Sequence, residues 1–152
     1  MIDSIKKLIR KSQSIKQSKK INHKKISKFL GVNFSQGFKE ICNQIGFDYF
    51  GPFEWFNTEQ TEQYSIIGET KNLRSELNLE KNILFLASDG TSLLFMKCLG
   101  DHEEIYWIAI EDVERFCKGE PLEGKYEFFS SFSDFFQFLL DWEEKNKSEA
   151  KS

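Results

Sequence analysis

Apolar residues recur along this chain at spacings that change from helical to strand-like and back. Ile2, Ile5, Leu8 and Ile9 follow a helical period, which predicts an amphipathic helix over about Ile2 to Ile15. Ser12 to Lys20 holds only Ser, Gln, Lys and one Ile, and reads as a solvated helix end or linker. Asn22 can cap a short helix whose apolar positions are Ile26, Phe29 and Leu30, with Gly31 at the left-handed exit. Ser35 caps the next helix, with Phe38, Ile41 and Ile45 on one face and Gly46 as its stop. Gly51-Pro52 breaks the chain, and Phe53 to Phe56 can form a first strand. After a polar loop from Thr58 to Gln63, the segment Tyr64 to Leu79 allows a helix from about Glu69 to Leu77.

The period then shortens. Ile83 to Ser88, Ser92 to Cys98 and Ile105 to Ile110 are β-prone runs, separated by Asp89-Gly90 and Gly100-Asp101. Runs of this kind between turn dipeptides predict an antiparallel meander. Glu111-Asp112 opens a short helical turn through Phe116, its acids placed at the positive end. Lys118 to Gly124 is a loop, and Lys125 to Phe129 a last edge strand. Ser131, with Asp134 three residues on, starts a closing aromatic helix that ends near Trp142, and Glu143 to Ser152 is expected to fray into a charged tail. That helix is apolar on nearly all sides, so it packs on the sheet or contributes to a partner interface. The fold class expected is α+β, with an antiparallel sheet flanked by helices. The expected divisions are a basic arm at 1–20, a single domain at 21–145 and a tail at 146–152.

At 152 residues the chain is long enough for one domain with its own core. Sixteen Phe, three Trp and four Tyr supply the apolar area, so no metal or disulfide is needed for folding. Cys42, Cys98 and Cys117 form no close pair, which reads as three buried thiols in a reducing cytoplasm. No apolar run approaches the roughly 20 residues of a membrane helix, and no signal-peptide core follows the basic start.

Charge changes the picture more. The net charge is −3, yet residues 1–28 carry ten Lys/Arg against Asp3 alone. A basic arm of about +9 therefore precedes an acidic body of about −12. The arm has the lysine density to meet phosphates, but it lacks interleaved aromatics and arginine enrichment. A solvated Lys-rich helix is its plain interpretation, and nucleic-acid binding through it is the alternative.

Recognisable catalytic chemistry is missing. No nucleophile elbow, phosphate-binding glycine loop, dinucleotide fingerprint or paired-histidine zinc motif occurs. His23 lies in the basic arm and His102 in an acidic turn, so no metal shell is expected. We therefore expect no enzyme, no metal and no cofactor.

The order and spacing of several segments resemble the SUKH superfamily. Leu30-Gly31, Phe34 and the helix from Gln36 to Ile41 look like that family's entry segment. Ile83 to Gly90 followed by Leu94-Phe95 looks like its central hairpin, Ile105-Tyr106-Trp107 like the next strand, and Ser130 to Leu139 like its closing helix. Asn33-Phe34-Ser35 stands where the family usually has a proline, and Thr91-Ser92 replaces its second glycine and the small polar residue after it. The resemblance implies a curved antiparallel sheet flanked by helices and a role without catalysis. In bacteria such domains are commonly immunity proteins that bind and neutralise a cognate toxin encoded beside them, often a nuclease. Fungal relatives are regulatory interaction modules. The Lys-, Ile-, Asn- and Phe-rich composition favours the bacterial branch.

A nuclease needs a basic cleft for phosphates, and an acidic inhibitor can occupy it. The acids available for that task are Glu54, Glu59 and Glu62 in one region, and Asp101, Glu103, Glu104, Glu111, Asp112 and Glu114 in another. Trp55, Tyr106 and Trp107 are the expected aromatic anchors.

Overall fold

The computed structural model describes residues 21–44 and 51–150. The helix expected from Ile2 to Ile15 and the helix exit at Ile45-Gly46 lie outside the described residues, as does the basic arm at 1–20.

Two short helices come first. Helix α1, His23–Leu30, starts where Asn22 Oδ1 accepts the Lys25 N–H at 3.1 Å. It ends at Gly31, in the left-handed conformation at φ 68° and ψ 34°, where a side chain would be strained. Ile26 and Leu30 are buried, but Phe29 is 42% exposed, with Lys71 Nζ 5.3 Å above its ring. The spacing had placed Phe29 on the buried face; one residue further round the helix, it instead faces outward beneath that lysine. Helix α2, Gln36–Gln44, begins at Ser35, whose Oγ accepts the Phe38 N–H at 3.2 Å. It buries Phe38, Ile41 and Cys42.

The sheet is an open meander of five antiparallel strands, each paired with the next: β1 Glu54–Trp55, β2 Ile83–Ser88, β3 Ser92–Cys98, β4 Glu103–Ala109 and β5 Glu127–Phe129. The tight turn after β2 is built by Asp89, whose Oδ1 accepts the N–H groups of Thr91 at 3.0 Å and Ser92 at 2.7 Å. The β2–β3 register shifts between Phe85 and Ala87. Leu86 and Ala87 consequently enter the same core, and the Leu86 carbonyl accepts the Phe56 N–H at 3.0 Å.

Both faces of the sheet are covered. On one, Leu84, Leu94, Met96, Ile105 and Trp107 pack with residues of α1, α2 and the last helix, α5, Phe132–Ala150. On the other, Ile83, Phe85, Leu93, Phe95 and Ile108 form a smaller core. Phe56 and Phe116 cap this core at either end of a ring series: Phe56–Phe85 4.7 Å, Phe85–Phe95 5.0 Å and Phe95–Phe116 4.6 Å. Each such buried ring stabilises the fold by roughly 1.5–3 kcal/mol. The cysteines Cys42, Cys98 and Cys117 are free and buried.

Several boundaries differ from expectation: β4 starts two residues earlier, at Glu103, and β5 two residues later, at Glu127. Helix α3 is Ile66–Leu77, a turn longer at its start, because Ser65 Oγ caps it by accepting the Gly68 N–H at 2.9 Å. A single 3-10 turn, Ile110–Asp112, leads into helix α4, Val113–Lys118. Helix α5 continues past Trp142 to Ala150 instead of fraying at Glu143. Glu143 is buried there and its Oε1 accepts the Gly51 N–H at 3.0 Å, which ties this stretch to the rest of the domain. Phe132, Phe135, Phe136, Leu139 and Leu140 of α5 are buried, and Phe138 and Trp142 half-buried.

Candidate partner-binding surface

Strand β5 pairs with β4 through Tyr106 and Phe128, and lies at one edge of the sheet. Two rings at this edge are poorly covered: Tyr126, just before the strand, is 50% exposed and Phe128 45% exposed. The Phe128 ring lies 5.1 Å from Tyr106, which in turn lies 5.3 Å from Phe116 of α4. Beside these rings is a groove of about 280 Å³, floored by Tyr106, Phe116, Leu122 and Tyr126 and rimmed by Glu80, Lys97 and Glu120.

The loop between α4 and β5 is what brings Tyr126 back to this place. Gly119 takes the left-handed conformation, at φ 72°, that ends α4. Asp112 then holds the returning chain, accepting the N–H groups of Glu123 at 3.2 Å and Gly124 at 2.9 Å. Arg115 pairs with Glu123 at 2.7 Å across the same loop.

The surface favours positive charge. The Tyr106 hydroxyl donates to Glu104 Oε1 at 3.1 Å. Burial and the neighbouring Glu104, Tyr126 and Glu80 push its pKa up to about 12, so a second negative charge is disfavoured there. Aromatic rings with carboxylates at their rim suit a lysine or arginine side chain.

The sequence-derived site residues do not converge on one place. Glu104 and Tyr106 belong to this surface. Glu111 is exposed and lines an adjoining groove of about 520 Å³ with Trp107, Lys125, Tyr126 and Glu127. Glu114 is exposed and pairs with Lys118 at 3.1 Å. Asp101 is exposed in its turn, and a 2.7 Å bond from His102 Nδ1 keeps its carboxyl below the usual range. Glu54 lies exposed on β1, at the opposite edge of the sheet, followed by Glu59 and Glu62 in the next loop.

Two of the acids are withdrawn from the surface. Glu103 is 2% exposed and accepts the N–H and O–H of Ser35; Asp112 is 3% exposed and holds the loop. Their charges are used inside the domain and are not presented to a partner. Two aromatics are likewise largely engaged. Trp107 faces the larger core, its ring 4.8 Å from Phe53 and its Nε1–H donating to Ser92 Oγ at 2.6 Å. Trp55 packs at 5.9 Å from Phe53 and 6.3 Å from Phe135.

Sequence reasoning passed over Tyr126, Phe128 and Tyr64. The first two are two residues apart at and just before the strand that ends the meander, beside one edge of the sheet. Tyr64 is 71% exposed and adopts φ 64°, an unusual conformation for an aromatic residue. Among the described residues no group of three or more His, Cys, Asp or Glu is placed to hold a metal ion, and no helix is long and apolar enough to cross a membrane. Compared with family models, curated proteins and solved structures, the chain matches none.

Proposed function

We propose that this protein is a cytoplasmic immunity protein with a SUKH-like fold, which neutralises a cognate toxin by one-to-one binding and performs no catalysis itself. The toxin is a nuclease with a basic active-site cleft. The observation that carries this function is the surface of half-buried Tyr106 and exposed Tyr126 and Phe128, with Glu104 and Glu120 beside it and Glu80 paired with Lys97 at 3.8 Å. Hot spots of protein interfaces are aromatic residues in the middle of a patch, with charge at the rim guiding encounter. A phosphate-binding cleft supplies the complementary lysines and arginines.

Affinity capture of the tagged protein from its host, followed by a nuclease assay on what is retained, tests the proposal. The expected result is a near-equimolar partner with a nuclease domain, encoded beside this gene and inactive when one equivalent of the protein is bound. Recovery of nucleic acid alone, or a neighbouring nuclease that stays active at saturating protein, would overturn it.

A further inference from the structure

On the other side of the sheet from Tyr106 and Phe128, α1 and α2 enclose a second groove, of about 450 Å³. Its lining includes His23, Lys24, Lys28, Gln36, Lys39 and Asn43, and contains no carboxylate. We infer that this groove binds the phosphodiester backbone of a nucleic acid, independently of the toxin-binding surface.

Charge is the first reason. Helix α1 reads HKKISKFL, three lysines and no acid in eight residues. Lys24 and Lys28 stand one turn apart, where like charges oppose helix formation by about 0.2–0.5 kcal/mol. Lys25 is already engaged, its Nζ donating to the Glu59 carbonyl. Lys24, Lys28 and Lys39 have no carboxylate partner among the described residues, and all three line the groove. An external polyanion supplies the missing countercharge.

Rigidity is the second. His23, 7% exposed, bonds through Nε2 to Asn43 Oδ1 at 3.0 Å, fastening α1 to α2. Its ring meets Phe34 edge-on at 6.5 Å. The two banks of the groove are therefore held at a fixed separation before any ligand arrives.

The chemistry of the lining selects the ligand class. Lysine ammonium groups and side-chain amides are donors suited to phosphate oxygens. The two rings in the lining, His23 and Phe34, are both buried and offer no stacking platform for a base. Recognition is accordingly of the backbone and blind to sequence. The remaining basic residues of positions 1–28 lie directly before or within α1 in sequence and add to the same sign of charge.

Fluorescence anisotropy with the full chain and a labelled DNA duplex tests this. Three lysine–phosphate contacts give a log–log salt slope of about −2.7, or about a 40-fold fall in affinity between 50 and 200 mM salt, before any contribution from the residues preceding α1. The triple variant Lys24→Gln/Lys28→Gln/Lys39→Gln is expected to bind more weakly and to lose about 2.7 from the slope, while an unchanged melting temperature reports an intact fold. A companion variant, Lys6→Gln/Lys7→Gln/Arg10→Gln/Lys11→Gln, is expected to retain the groove's share of the slope. Toxin inhibition by the triple variant stays at the parental level, so loss of this site and loss of the immunity function are separately visible. No duplex binding at 50 mM salt, capture of an acidic protein in its place, or a triple variant with unaltered affinity and slope overturns the inference.

Discussion

Glu103 reaches from β4 to Ser35 at the start of α2, 68 residues away in sequence, and takes both of its donors: the N–H at 2.7 Å and the O–H at 2.6 Å. Ser35 Oγ in turn accepts the Phe38 N–H, so one serine links a buried carboxylate to the first turn of a helix. Removing the carboxylate strands two donors where water cannot reach them. Glu103→Ala is expected to cost about 3 kcal/mol. Equilibrium urea denaturation measures this, and a loss below about 1 kcal/mol would show that α2 is held by its apolar face alone.

The same carboxylate sets a pH dependence. Burial pushes the Glu103 carboxyl above its ordinary value of 4.5, and the two Ser35 bonds offset only part of that. The folded state therefore holds this proton more tightly than the unfolded chain does. Stability from this group is fully present below the ordinary value and is lost as pH rises through the raised one. Glu103→Gln removes the titration. The stability of the parent relative to Glu103→Gln should fall across a window beginning near 4.5, then level off. A constant difference from about pH 4 to about pH 7 would contradict this.

The meander was legible because Asp89-Gly90 and Gly100-Asp101 punctuate three β-prone runs, and the caps at Asn22, Ser35 and Ser131 were legible because their side chains act locally. Alternation on β4 also carried a signal that adjacency hid: Glu103 shares its side of the strand with Ile105 and Trp107, which face the larger core. Taken as a pair, Glu103 and Glu104 looked like one acidic patch, whereas strand geometry sends one inward and one outward. Asp112 could not be placed in this way. Its burial depends on a loop that returns eleven and twelve residues later, at Glu123 and Gly124. The exposure of Tyr126 and Phe128 depends on β5 being last in the sheet and on the later helix α5 packing against the opposite face.

Gly68 lies in the first turn of α3, where alanine would ordinarily gain about 1 kcal/mol over glycine. Here a Cβ would stand 2.0 Å from the Glu62 carbonyl oxygen, a backbone atom of the preceding loop. That loop is fixed by the Ser65 N–H donating to the same carbonyl at 3.2 Å and by the Asn57 N–H donating to Tyr64 O at 2.8 Å. Gly68→Ala is therefore expected to destabilise by about 2 kcal/mol, reversing the usual sign. Thermal denaturation reads the sign directly, and a rise in melting temperature would mean that the loop can move aside.

Tyr126 separates the two grooves of the proposed toxin-binding surface and lines each of them. Being half exposed, Tyr126 and Phe128 contribute little to the core, so Tyr126→Ala and Phe128→Ala should each change folding stability by less than about 1 kcal/mol. As interface anchors they should each cost about 2 kcal/mol of toxin affinity, roughly 30-fold, mostly through faster dissociation. The rim acids act at a different step. Glu104→Lys and Glu120→Lys should slow association several-fold at low ionic strength, with the difference shrinking as salt screens the encounter. Surface plasmon resonance at two salt concentrations separates the two effects. Anchor variants that dissociate at the parental rate would move the toxin-binding site to the opposite edge of the sheet, where Glu54 lies on β1 and the loop bearing Tyr64 follows it.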